Sequence, residues 1–304
     1  MTKTGKKPLV SVIIPTYKRS DMLSRAINSV LNQDYQNVQV VIVDDNNPDT
    51  EWRKLTSHIM KSYVPDSRVK YICHEKNMNG SAARNTGIEN SDGELLCFLD
   101  DDDWFLDTKV EKQSNFLEKF KKYAACCCDY KKDGQAIILQ NKEDYTKDIL
   151  LLNMTPQTSG IMFRREAITK LSGFDASYIR HQDYELLLRF FDSGYLMGKV
   201  NEVLYIRERA NNSNIPNGEK MEAVKAKFLR QFDYLVDKYG DSDMNFKKAV
   251  YTANYFTLFK CYLRQQAWHD VWRIFLKSCR ISSFFTIKIL LKKSYEYLSH
   301  HCWC

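Results

Sequence analysis

Long apolar runs are missing from this chain. No stretch of about 18 uncharged apolar residues occurs, so no membrane-spanning helix is expected. The opening residues, Met1 to Pro8, lack the apolar core and small-residue cleavage site of a secretion signal, and none is expected there. Glycine-rich nucleotide fingerprints are missing too. Neither GxGxxG nor GxxxxGK[ST] appears, which removes support from a dinucleotide dehydrogenase and from a P-loop enzyme. No proline or glycine follows Gly240, so the C-terminal stretch reads as a few packed helices. Internal repeats and low-complexity segments are absent. The nine cysteines are an odd, irregularly spaced set with Cys126-Cys127-Cys128 in a row, a pattern expected of free, mostly buried thiols in a reducing cytoplasm. Cys302 and Cys304 alone are too few for a zinc site.

Acidic residues are scarce at one end only. Residues 244–304 hold ten Lys or Arg against Asp270 and Glu296, a net +8, whereas the whole chain carries +7. The first 243 residues are therefore close to neutral, at about −1. The segment Phe284 to Leu298 mixes large apolar residues with lysines. It suits either a helix lying in a membrane interface or a helical cap with solvated lysines. No nucleic-acid-binding module accompanies the charge, and no nucleic acid is expected as a partner.

What is present, first, is an alternation. Val10–Ile14, Val38–Val43, Val69–Cys73 and Leu95–Leu99 are short β-branched or apolar runs. Helical patterns follow them at 21–33, 51–60, 81–88 and 109–120. Ser20 is expected to cap the first helix. Such alternation predicts an α/β fold with a doubly wound, mostly parallel sheet, whose ligands bind beyond the carboxyl ends of the strands. Thr16, Arg19, Asp44, Asp45 and the run Asp100-Asp101-Asp102-Asp103 all fall at those ends. Four adjacent carboxylates repel one another, and a hard divalent cation would neutralise them. In extended geometry Asp100 and Asp102 point the same way, so one ion could meet both. A solvated acidic turn is the alternative. Past Ala124 the alternation fades. Strands are expected at Ala124–Tyr130, Ala136–Leu139, Ser159–Phe163 and Val200–Arg207, and a helix opens near Gln182 with Asp183 and Glu185 in its first turn. From Lys220 onward the aromatic spacing of Tyr255, Phe259 and Tyr262, and of Trp268, Val271, Trp272 and Phe275, reads as helical core.

Taken as a set, Val10 to Tyr17, Val43-Asp44-Asp45, Gly80-Ser81-Ala82-Ala83-Arg84-Asn85, Phe98 to Asp103 and Gln182-Asp183 resemble the inverting family 2 glycosyltransferases in order and spacing, over about residues 8–210. The resemblance implies a GT-A fold with a C-terminal helical extension. Residues 1–215 would be catalytic, 8–125 binding the nucleotide-sugar and 126–215 the acceptor, and 216–304 the basic, aromatic-rich extension. It implies transfer from a UDP-sugar, with Mn2+ or Mg2+, to a hydroxyl of a glycan or lipid-linked oligosaccharide in polysaccharide, lipopolysaccharide or capsule synthesis, forming a β-linkage. Position by position, Pro15, Thr16, Tyr17 and Arg19 would line the nucleotide pocket and Asp45 would take a hydrogen bond from the base. Gly80 and Arg84 would lie against the nucleotide sugar or diphosphate. Asp101 would contact the ribose, Asp100 and Asp102 would hold the metal, and Asp183 would be the catalytic base, with Glu185 as fallback and His181 a neighbour of the metal or diphosphate. Gln182 stands where the family often has Glu. The enzyme is expected in the cytoplasm, either free there with its basic helices as a cap or peripheral on the inner face of the cell membrane. A sugar-phosphate nucleotidyltransferase or a non-catalytic nucleotide-sugar binding protein are the competing readings.

Overall fold

The computed structural model describes residues 7–208, 217–241 and 243–301, with side chains to residue 289. The chain divides into two compact units, Met1–Tyr145 with Pro156–Asn212, and Thr146–Thr155 with Ser213–Cys304.

The first unit begins with the expected alternation: β1 (Val10–Thr16), α1 (Ser20–Leu31), β2 (Val38–Asp44), α2 (Glu51–Met60), β3 (Val69–Cys73), α3 (Gly80–Glu89) and β4 (Leu95–Phe98). These four strands are parallel, in the order β3-β2-β1-β4. β1 and β2 are buried along almost their whole length, which suits their run of Val and Ile with helices on both faces. β1 has β2 on one side and β4 on the other, so the winding reverses at β1 and a crevice opens at its carboxyl end. Register carries the site residues to one level there. Thr16 pairs with Asp44 and Ile13 with Phe98. The Asp45 N–H donates to the Thr16 carbonyl at 2.9 Å, and the Leu99 N–H to the Ile13 carbonyl at 2.9 Å.

Ser20 does not cap α1 as expected. It is the first helical residue, and Arg19 occupies the cap position without a side-chain cap bond. The reason lies one residue earlier. Lys18 sits at φ 60° with its N–H on Asn46 Oδ1 at 2.9 Å, a turn that starts the helix late and leaves the Arg19 side chain for the acidic run.

The chain continues through β5 (Trp104–Phe105), α4 (Lys109–Lys119), β6 (Ala125–Lys132), β7 (Gln135–Ile137) and α5 (Thr146–Leu150), the last belonging to the second unit. A 3-10 turn at Thr158–Gly160 leads to β8 (Met162–Arg164), α6 (Arg165–Lys170), α7 (Gln182–Asp192) and β9 (Met197–Arg207). The finished sheet is mixed, with the order β3-β2-β1-β4-β8-β6-β9-β5, and β7 joins β6. β8 runs antiparallel to β4, with Cys97 opposite Met162. The strand expected at Ser159–Phe163 is thus half a 3-10 turn, which places Ser159 beside the acidic run. The two-residue β5 was not expected. It pairs antiparallel with the end of β9, Trp104 opposite Ile206, and so brings Asp103 toward Arg207.

In the second unit α5 is joined by α8 (Gly218–Gln231), α9 (Asp233–Gly240), α10 (Met244–Arg264) and α11 (Trp268–His301), the last broken at Ser282. Met221, Leu258, Cys261, Tyr262, Val271 and Ile274 form its core, with Tyr255 and Phe259 packed against them. The aromatic stripe expected to be core is therefore split. Tyr262 and Val271 are buried, but Trp268 and Trp272 face outward. Cys302 and Cys304 lie outside the described residues. Of the seven described cysteines five are buried and none is bridged. Among the described residues no helix is long and apolar enough to cross a membrane.

Candidate active site

The acidic run leaves β4 as a turn, not as an extended strand. The Asp103 N–H closes it on the Asp100 carbonyl at 3.0 Å. That bend overrides the two-residue alternation assumed for Asp100 and Asp102 and folds Asp103 back as well. One carboxylate oxygen each from Asp100, Asp102 and Asp103 lies within 4.8 Å of the others. Asp101 is turned away from this cluster, accepting from the Tyr17 N–H at 3.4 Å and from Arg19 Nη1 at 3.3 Å.

Arginines hold the cluster in place. Arg19 Nη1 also donates to Asp102 at 2.5 Å, and Arg84 Nη2 donates to Asp100 at 2.5 Å. Ser159, from the 3-10 turn, donates its hydroxyl to Asp103 at 2.7 Å and accepts the Asp100 N–H at 3.2 Å. Burial works against ionisation of every acid here. At Asp100 the Arg84 guanidinium, helped by Arg207 and Arg19, wins and holds the carboxyl below its ordinary range. Burial pushes Asp101 up to about 7, with the Asp102 charge adding to it. Asp102 and Asp103 are raised by burial and by the Asp100 charge. An ionised Asp100 that raises Asp102 and Asp103, with hard oxygen donors from all three converging on one point, suits a magnesium- or manganese-sized cation.

A cavity of about 380 Å³ adjoins the cluster, lined by Arg84, Asp100, Asp103, Gln157–Ser159, Ile179–Tyr184 and Arg207. Asp183, in the first turn of α7, shares this cavity with Arg84 and Asp100. Burial raises its carboxyl above the ordinary value, opposed by the Tyr184 N–H, Arg180 and Arg84. A link crosses from one side to the other. Arg84 Nη1 donates to Gln182 Oε1 at 2.9 Å while its Nη2 holds Asp100, and Gln182 Nε2 donates to the Tyr178 carbonyl at 2.9 Å. Gly80 leaves room for it. A Cβ there would meet Arg84 Nη1 at 3.1 Å and Gln182 Oε1 at 3.3 Å.

The other expected residues divide into two groups. Tyr17, Arg19, Asp101 and Asp102 meet around the Arg19 guanidinium at the end of β1, next to the buried Thr16 and half-buried Pro15. Asp45 lies in a buried network instead. Its oxygens accept from His74 Nδ1 at 2.8 Å, Asn77 Nδ2 at 2.8 Å and the Met78 N–H at 2.7 Å, so its carboxylate fastens the loop before α3. Glu185 is no alternative base. It is 1 % exposed and doubly hydrogen-bonded by Arg189, at 2.6 and 2.8 Å. His181 lines the cavity in a left-handed conformation, φ 64°, its ring stacked on Tyr184. Ser159 and Arg207 escaped the sequence reading, and Asp103 was given no ligand role of its own there. Asp103 was visible as the fourth acid of the run, but Ser159 and Arg207 reach the site through β8 and β9, and no local pattern marks them.

A family model described as "Glycosyl transferase family 2" matches residues 11–186, more than half of the chain. The "Amylovoran biosynthesis glycosyltransferase AmsB" of Erwinia amylovora is 29 % identical over 210 residues, covering 61 % of this chain and 64 % of that protein. The chain spans only 15–17 % of the length of three further curated glycosyltransferases, from Rickettsia species. Among solved structures, S. aureus TarS 1–349 in complex with UDP-GlcNAc superposes with a TM-score of 0.58 at 16 % identity, over 81 % of this chain and 80 % of that one. The mannosyltransferase PcManGT from Pyrobaculum calidifontis, in complex with GDP-Man and Mn2+, gives 0.62 at 14 % identity, over 97 % and 81 %. At such identities these two structures speak for the fold, which is the α/β GT-A fold with C-terminal helices.

Proposed function

The chain belongs to glycosyl transferase family 2 and is a transferase, and we propose that it moves a sugar from a UDP-sugar, with inversion, to a hydroxyl of a glycan or lipid-linked oligosaccharide in surface-polysaccharide assembly. The observation that carries this reading is the convergence of Asp100, Asp102 and Asp103 beside a cavity that also holds Asp183. A relative named as a glycosyltransferase of amylovoran biosynthesis and a structural neighbour solved in complex with UDP-GlcNAc support the acceptor and donor classes. Catalysis is assigned to residues 1–215, with 216–304 as the extension.

In this reading Pro15, Thr16, Tyr17, Arg19 and Asp101 face the nucleotide, and Gly80 and Arg84 the diphosphate. Mn2+ or Mg2+ held by Asp100, Asp102 and Asp103 would supply Lewis-acid stabilisation of the negative charge that grows on the leaving diphosphate. Asp183 accepts the proton of the acceptor hydroxyl as that oxygen attacks the anomeric carbon, and the carbon–oxygen bond to UDP breaks with its electron pair. One positioned base contributes about 10²–10⁴-fold to such a step. Burial raises its affinity for a proton, which strengthens it as a base. Attack from the face opposite an α-linked leaving group gives the β-linkage.

Titration calorimetry with UDP tests the metal half of the reading. Binding is expected to need Mn2+ and to be lost in Asp102→Ala. Equal UDP affinity after exhaustive chelation refutes it. Turnover of a UDP-sugar panel tests the base: Asp183→Asn is expected to bind UDP normally and to transfer no sugar.

A further inference from the structure

The second unit presents an apolar face that its own core does not use. On α11, Trp268, Trp272 and Leu276 recur every fourth residue and so stand in one row along the helix. They are 65, 61 and 40 % exposed, while Val271 and Ile274, on another side of the same helix, fill the core. Past the break at Ser282, Phe284 and Ile287 are also open, at 68 and 53 %. A row of open indoles and aliphatics on one helix marks an interaction surface more than a solvated one. Tryptophan is favoured where one end of a surface is apolar and the other wet.

The charge around the row selects the partner. Lys277 and Arg280 are exposed on the segment that carries the row, Lys277 with its ammonium 5.2 Å from the centre of the Tyr255 ring, and Lys288 is exposed past the break. The one acid of its described part, Asp270, is paired with Arg273 at 2.9 Å. Residues 244–304 carry a net +8 in all. A second copy would set this positive charge against itself. An anionic surface with an apolar interior answers both features at once.

We propose that this face of α11, before the break at Ser282, rests on the headgroup layer of an anionic phospholipid bilayer, with Trp268, Trp272 and Leu276 entering the acyl boundary and Lys277 and Arg280 meeting lipid phosphates. The helix lies in the plane of the interface, as amphipathic basic helices with aromatic apolar faces do. Long lysine and arginine stems let the charges reach the phosphates while the carbon chain stays on the apolar side.

Vesicle flotation of the full-length protein tests this without any sugar transfer, so its outcome is independent of the transferase reading. The vesicles are phosphatidylcholine alone and an equal mixture of phosphatidylcholine and phosphatidylglycerol. Binding is expected to the mixed vesicles only, to weaken as salt is raised, and to gain about fivefold per basic residue in contact. The double variant W268S/W272S is expected to lose on the order of tenfold or more in partitioning. K277E/R280E is expected to lose its preference for the anionic vesicles. All four side chains are exposed, so both variants should keep the wild-type circular dichroism and melting temperature. Three results overturn the proposal: no binding to the mixed vesicles, unchanged binding by W268S/W272S, or a dimer in sedimentation that dissociates in W268S/W272S while vesicle binding stays intact.

Discussion

Replacing Gln182 by Met tests whether the Arg84 bridge couples the two halves of the site. The stem length is kept and the amide is removed. Two hydrogen bonds disappear, one from Arg84 Nη1 at 2.9 Å and one to the Tyr178 carbonyl at 2.9 Å. A bond to a charged group contributes about 1.5–3 kcal/mol and a neutral one about 0.5–1.5 kcal/mol. Both are partly solvated, and Arg84 keeps Asp100 at 2.5 Å and its place over the Phe174 ring, so it does not swing free. About 1–2 kcal/mol is therefore the loss expected, felt where α7 sets the direction of Asp183. Converted at 1.36 kcal/mol per decade, kcat should fall about 5–30-fold. UDP affinity in Mn2+ should change less, because Arg84, which faces the diphosphate, keeps its bond to Asp100, and Arg19, Asp101 and Asp102 do not touch Gln182. Gln182→Glu restores an acceptor for Arg84 and should recover most of kcat. The measurement is steady-state UDP release with the donor that turns over, beside calorimetry for UDP. Full kcat in the Met variant refutes the coupling. So does an equal loss of UDP affinity and kcat that Glu fails to rescue, which would mark Gln182 as merely structural.

Three further outcomes are expected. With saturating Mn2+, which keeps the cluster carboxylates ionised, and in the Asp101→Asn background, which removes the carboxyl pushed up to about 7, kcat/KM should rise with pH along an acid limb whose midpoint lies above the ordinary Asp value of 3.8, because burial raises Asp183 and only its ionised form accepts a proton; a limb centred at or below that value would mean that Asp183 is not the base. Gly80→Ala should leave the melting temperature near wild type, since the added Cβ would meet only the ends of two side chains, at 3.1 and 3.3 Å, yet lower kcat by crowding Arg84 and Gln182; unchanged kcat counts against the tight fit. Lys199→Met should cost about 3–5 kcal/mol in denaturant unfolding, because it strands the buried Asp129 that its Nζ meets at 2.8 Å; the double variant with Asp129→Leu should cost less than Lys199→Met alone.

The parts of this molecule that could be read from its residues are those in which one local pattern decides the structure. β1 and β2 are continuous β-branched runs of strand length, followed by helical patterns, and that combination fits a buried parallel strand. Their carboxyl ends therefore carried Thr16, Asp44 and Asp45 to one edge, and the acidic run had to join them once β4 lay on the other side of β1. The parts that could not be read are set by contacts between distant segments. Ser159 is 56 residues from Asp103, and the two meet only because β8 runs antiparallel to β4. Arg207 arrives through β9, whose pairing with the two-residue β5 has no signature of its own. The acidic run itself shows the limit most plainly. Alternation predicts that Asp100 and Asp102 share a side, but that rule holds only while the backbone stays extended, and a single hydrogen bond from Asp103 to the Asp100 carbonyl ends it. The same turn that defeats the alternation adds a third carboxylate to the cluster and sends Asp101 to Arg19. Four consecutive aspartates thereby acquire two different tasks, and the division between them is a property of the turn, not of the residues.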